Sequence, residues 1–174
     1  CNGPNIIAVR ADSPIKNLND LIRLAKSRPG QLSYASSGNG SAVHLAAELL
    51  KMMAQIDIQH IPYRGAGPAY TDLLGGHVQG MAMDLPVLYP HVKSGKLRGI
   101  AVTGAKRSAI APEFPTIAET GLPGYEVVTW FGLLATAGTP ADVINKLYND
   151  LGQSLTQPAV KDQFTKLGLE VVGS

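Results

Sequence analysis

The chain has a single cysteine, Cys1, and that scarcity excludes an internal disulfide and any cysteine-based metal cluster. Cys1 itself fits either an arbitrary boundary or the lipidated first residue of a processed lipoprotein. Nowhere is there a run of the roughly 18 apolar residues that a membrane-spanning helix needs, and no charged-then-apolar leader precedes the first strand pattern, so the segment reads as soluble. Charge of one sign is also scarce. Lys and Arg number 15 against 13 for Asp and Glu, an excess too small to indicate nucleic acid or a membrane surface as partner. Histidines are few, and His44, His60, His77 and His91 never fall three or four residues apart, the spacing that sets two ligands on one helix face, so no metal site is expected. Nucleotide motifs are missing as well. There is no G-x-x-x-x-G-K-[ST], and Val43 stands where a dinucleotide fingerprint needs its third glycine, so no cofactor is expected.

What is present is enough apolar sequence for a real core: 45% of 174 residues, which suits one domain or one domain plus part of another. Short apolar runs bounded by Gly, Pro or Ser predict strands near Ile6 to Arg10, Leu32 to Ala35, Ile58 to Pro62, Gly80 to Met83, Leu97 to Thr103 and Val127 to Ala135. Between them, 3.6-residue periodicity and Asn, Ser, Thr or Pro starts predict helices near 18–27, 42–55, 68–74, 86–93, 141–155 and 159–167. This alternation indicates an α/β fold with a mostly parallel sheet flanked by helices. Apolar runs close to both ends suggest that the text is cut from something longer.

Three strand-to-helix joints fall on one edge of such a sheet, where the crevice of an open α/β fold lies. The first is "LSYASSGNGSAVHLAAELL", whose Gly38 and Gly40 let backbone N–H groups approach a ligand, with Ser36, Ser37, Asn39 and Ser41 as short-armed donors and a helix start behind them. That combination suits an anion, and a plain tight turn with Ser41 capping the helix fits equally well. His44 follows, facing either the crevice or its neighbouring loops. The second joint, "PYRGAGPAYTDLL", offers Tyr63, Arg64 and the backbone from Gly65 through Ala66 to Gly67. The third ends in Asp84, which either caps the next helix or receives a ligand ammonium or hydroxyl. A hydrolase using Ser37 or Ser41 with His44 is an alternative on paper, although "SSGNGS" is not G-x-S-x-G.

The blocks "PGQLSYASSGNGSAVHLAAELLKMMA", "IPYRGAGPAYTDLLGGHVQGMAMDLP", "VKSGKLRGIAVTGAKRSAIAPEFPTIAETGLPGYEV" and "WFGLLATAGTP" resemble the solute receptors of tripartite tricarboxylate transporters, the Bug family, over essentially the whole chain. The resemblance implies a periplasmic, two-lobed binding protein of type II that captures a small organic carboxylate or amino acid and hands it to a membrane permease, without chemistry on the ligand. It implies a recognition loop at Ser36 to Ser41, a second at Tyr63 to Gly67, and at Asp84 an aspartate that meets a ligand ammonium in amino-acid-binding members. It further implies that residues 8–126 form a complete second lobe, that 127–135 cross between lobes, and that 136–174 are a remnant of the first lobe. Family chains are well over half as long again, so half of the ligand cage is expected to be missing and the exposed apolar faces to favour a dimer. A sensory module that borrows the fold is a further reading.

Overall fold

The computed structural model describes residues 1–172, so the last two residues of the predicted 136–174 segment lie outside the described residues. The strands are β1 (Asn2–Arg10), β2 (Ser33–Ser36), β3 (Gln59–Pro62), β4 (Gly80–Asp84), β5 (Leu97–Val102) and β6 (Val128–Trp130). The helices are α1 (Leu18–Ser27), α2 (Ala42–Ala54), α3 (Ala66–Gly75), α4 (Leu85–Lys93), α5 (Ala141–Thr156) and α6 (Pro158–Lys166). No helix among the described residues is long and apolar enough to cross a membrane.

The sheet runs β3-β2-β4-β1-β5, with β6 added to β1. β2 pairs in parallel with both β3 and β4, as the β-α-β alternation requires. β1 departs from the expected pattern. It lies antiparallel between β4 and β5, so the α/β sheet is mixed: β2 to β6 share one direction and the first strand runs against them. Its apolar run explains the central position. Ile6 and Ala8 point to one face, Ile7 and Val9 to the other, and all four are buried, which only a strand covered on both faces achieves.

Helices cover the two faces separately. Leu18 and Leu21 of α1 and Val43, Ala47 and Leu50 of α2 pack with Ile7 and Val9, while Leu73 of α3 and Leu85 and Leu88 of α4 pack with Ile6 and Ala8. Tyr125, only 1% exposed, belongs to the first face, where its hydroxyl donates to the Ala46 carbonyl of α2 at 2.7 Å.

β1 also begins earlier than its apolar run. Residues Asn2 to Pro4 pair antiparallel with β6, giving a two-stranded ribbon that leaves the sheet. Gly3 and Pro4 hid this extension, since both are poor strand formers that survive at edges. β6 is correspondingly shorter than the predicted Val127 to Ala135; beyond Trp130 the apolar residues Phe131, Leu133 and Leu134 are exposed. α5 then presents Val143, Ile144, Leu147, Tyr148 and Leu151 to solvent along one helical stripe, and neither α5 nor α6 contains a buried residue.

Candidate ligand-binding site

Because β2, β3 and β4 are parallel, their carboxyl ends lie on one sheet edge, and antiparallel β1 brings its own beginning to the same place, with Asn5 opposite Asp84. All three predicted joints therefore meet there. The first two are tied directly, since the Tyr63 N–H donates to the Ser36 carbonyl at 3.1 Å.

Within the loop the predicted residues divide by role. Ser36 is fully buried; its Oγ accepts the Gly38 N–H at 3.2 Å and lies 2.6 Å from Nε2 of His60. Ser41 is the N-cap of α2. Its Oγ accepts the His44 N–H at 3.3 Å and spends its proton on the Gly38 carbonyl at 2.8 Å. Those two hydroxyls are committed to the loop. Gly38 and Gly40 take φ of 136° and 75°, a region that favours glycine and that shapes the turn before the helix. The half-buried Ser37 and the exposed Asn39 make no side-chain hydrogen bond among the described residues and are the donors left for a ligand. His44 accepts the Gly40 N–H on Nδ1 at 3.1 Å, so one edge of its half-buried ring is held against the loop.

At the second joint Gly65 occupies the N-cap of α3 without a side-chain cap, which leaves the N–H groups of Ala66 and Gly67 without a hydrogen-bond acceptor among the described residues. Tyr63 points away: its hydroxyl donates to Asp72 at 2.6 Å, and that bond, ahead of burial, pushes its pKa up to about 12. Arg64 is exposed.

Asp84 corrects one alternative. It stands in the N-cap position of α4 but makes no capping bond; its Oδ1 lies instead 2.8 Å from the Thr129 hydroxyl on β6. The same hydroxyl is 2.9 Å from Oδ1 of the fully buried Asn5, and one proton cannot serve two acceptors. Turning the Asn5 amide over resolves the conflict. Its N–H then donates to Thr129, Thr129 donates to Asp84, and the buried Nδ2, otherwise without a partner, gains one. The Asn5 backbone is held as well, its N–H donating to Thr103 Oγ1 at 2.9 Å. Asn5, Thr103 and Thr129 were not foreseen, because only the reversed β1 and the β6 ribbon bring them to Asp84.

The hydrolase alternative fares poorly against this geometry. Neither Ser37 nor Ser41 hydrogen-bonds the His44 ring among the described residues, and Asp84 engages Thr129. The Ser–His contact that does exist, Ser36 with His60, puts its oxygen beyond the reach of a substrate. A cavity of about 710 Å³ lies on the other side of the ribbon, lined by Pro4, Gly104, Lys106, Val128 and Lys161. Pro4 and Val128 alternate with Asn5 and Thr129 along their strands, so this cavity and the Asp84 cluster occupy opposite faces.

The family model described as "Tripartite tricarboxylate transporter family receptor" matches residues 1–174. The chain belongs to that family. A UPF0065 protein of a Pseudomonas species is 37% identical over 171 residues, covering 98% of this chain and 51% of the relative. Protein BugT of Bordetella pertussis is 34% identical over 165 residues, covering 95% and 51%. Among solved structures, an R. palustris protein with adipate superposes with a TM-score of 0.89 at 36% identity, covering 96% of this chain and 56% of that one. The Rhodopseudomonas palustris protein MatC with bound malate gives 0.86 at 30% identity, covering 96% and 57%. The type II periplasmic-binding-protein lobe read from the sequence is thus the fold of this member of the family, and the chain spans about half the length of the curated relatives it matches.

Proposed function

We propose that this chain carries one lobe and part of the other of a periplasmic receptor that captures a small organic carboxylate for a tripartite tricarboxylate-type transporter, handing it unaltered to the permease. The observation that carries this reading is the convergence, on one sheet edge, of the glycine loop with its uncommitted Ser37 and Asn39, the uncapped start of α3, and the Asp84 cluster. Two helix starts favour negative charge there, while Asp84 favours a ligand donor. A ligand carboxylate then meets Ser37 and Asn39 at the glycine loop, whose other N–H groups at Gly38 and Gly40 are held within the loop and by His44, and a hydroxyl or ammonium of the same ligand faces Asp84. The relatives' adipate and malate are both dicarboxylates, and malate adds a hydroxyl.

In this reading residues 8–126 are the second lobe, 127–135 cross between lobes, and 136–174 belong to the first lobe. The pairing of Asn2–Pro4 with β6 adds a second crossing strand to that division. The test is calorimetry on a full-length receptor containing this segment, against a panel of dicarboxylates, hydroxy acids and amino acids. Ser37→Ala weakens the best ligand by about 1.5 to 3 kcal/mol if its hydroxyl donates to an ionised oxygen. Asp84→Asn weakens hydroxy or amino acids and spares plain dicarboxylates. A receptor that binds no organic acid, or is indifferent to both changes, overturns the reading.

A further inference from the structure

We propose that His44 and His60 are positioning residues that hold residues 36–41 in their anion-receiving shape while the imidazoles are neutral, and that protonation of His44 on Nδ1 releases the turn at Gly40. Each ring reaches the loop through one nitrogen. His44 Nδ1 accepts the Gly40 N–H at 3.1 Å, and an N–H acceptor must carry a free lone pair. Once protonated, Nδ1 becomes a donor facing another donor, and the bond is lost.

His60 Nε2 lies 2.6 Å from Ser36 Oγ. The Ser36 oxygen already accepts from Gly38, and the Gly38 carbonyl is served by Ser41 at 2.8 Å against 3.3 Å from Ser36. The Ser36 proton is therefore best placed on His60, completing a chain from the Gly38 N–H through Ser36 to the imidazole.

The rings also meet each other. They stack with centroids 4.1 Å apart, and Tyr34 stacks on the far side of His60 at 4.9 Å. Two stacked imidazolium ions repel, so the pair resists double protonation. The charged and titratable groups around the stack are Tyr34 on β2 and Glu48 and Lys51 on α2. Tyr34 donates to Glu48 at 2.9 Å and Lys51 pairs with it at 2.8 Å, so the carboxylate is already engaged. Burial, with the His44 and Lys51 charges added and Glu48 opposing, holds His60 below its ordinary value near 6.5. A lowered histidine pKa means that the unfolded chain takes the proton first. The His60 contribution is thus whole above about 6.5, diminishes as the pH falls below it, and levels off once the folded value is passed.

This inference takes from the carboxylate-receptor reading only the purpose of the loop; the titration needs no ligand. The experiment is nitrogen-15 NMR of the chain between pH 8 and pH 5, following the Gly38 and Gly40 amides, the His44 ring nitrogens and amide exchange. The Gly40 amide shift is expected to change as His44 takes its proton, and its protection factor, the observed exchange rate set against the intrinsic rate at each pH, to fall about tenfold, the equivalent of one neutral hydrogen bond. His44→Asn, which puts a non-titrating acceptor near the Nδ1 position, keeps Gly40 protected and flat with pH. His44→Ala leaves it unprotected throughout, and His60→Gln removes the acidic response of Gly38. A Gly40 amide that ignores the His44 titration, or one that keeps its protection and pH profile in His44→Ala, overturns the proposal. A loop that titrates as stated in a receptor binding no organic acid would refute the carboxylate reading and leave this one standing.

Discussion

Thr129→Val removes one hydroxyl at nearly constant volume, and the Asp84 cluster sets its cost. Thr129 bridges Asn5 on β1 to Asp84 at the end of β4, at 2.9 and 2.8 Å. A hydrogen bond to a charged group contributes roughly 1.5 to 3 kcal/mol, and Asp84 is half-buried, so water replaces part of what it loses. Asn5 is not so placed. It is 0% exposed, and without the Thr129 oxygen its amide N–H is again left without a partner. The sum is about 2 kcal/mol, which for a chain of this size lowers the melting temperature by about 4 to 8 °C. Urea unfolding followed by circular dichroism and tryptophan fluorescence measures it, with coincidence of the two curves as the check on two-state behaviour. Thr129→Ser keeps the hydroxyl and is the control, expected within about 1 kcal/mol of the parent because only a half-buried methyl is lost. A Val variant as stable as the parent, or a Ser variant as damaged as the Val, would show that the hydroxyl does not join the strands.

Ser41→Ala removes the cap of α2 and costs about 1 kcal/mol of stability by chemical denaturation, because its hydroxyl serves the loop; an unchanged midpoint would free it to be a ligand donor. Tyr125→Phe deletes the bond to Ala46 that pins α2 and costs about 0.5 to 1.5 kcal/mol, read the same way, while the packing of the ring is kept. Sedimentation of this chain is expected to show concentration-dependent self-association through the α5 stripe, abolished by Leu147→Glu with Leu151→Lys; a clean monomer at high concentration would contradict it.

The sequence made the elements legible where apolar period and punctuation agree. The glycine loop was legible for that reason, as Ser41, two glycines and an amphipathic helix follow a buried strand within a dozen residues. Strand direction was not legible. Nothing in "IIAVR" distinguishes a parallel strand from an antiparallel one buried on both faces, and the insertion of β1 is what sets Asn5 opposite Asp84. The pairing of His44 with His60 escaped spacing arguments for a related reason. Histidine spacing along one helix was weighed, whereas these two stack between a helix and a strand separated by a turn. Asp84 showed the opposite failure: the local rule for helix starts offered a cap as one of its two readings, and a threonine far along the chain engages its carboxylate instead.

The place of β1 in the sheet bears on how the lobe is made. It is the first strand in the chain, and both of its main neighbours, β4 and β5, come after three helices and two other strands. Within this sequence Ile6 to Val9, apolar on both faces, precede both of those neighbours, so their pairing waits until Gly80 to Val102 have followed. Such long-range pairing is slow to form, and unpaired strand edges invite association with other chains. The order of the sequence and the order of the sheet are opposed, and an interior strand, paired on both edges, is the one that waits longest for its partners.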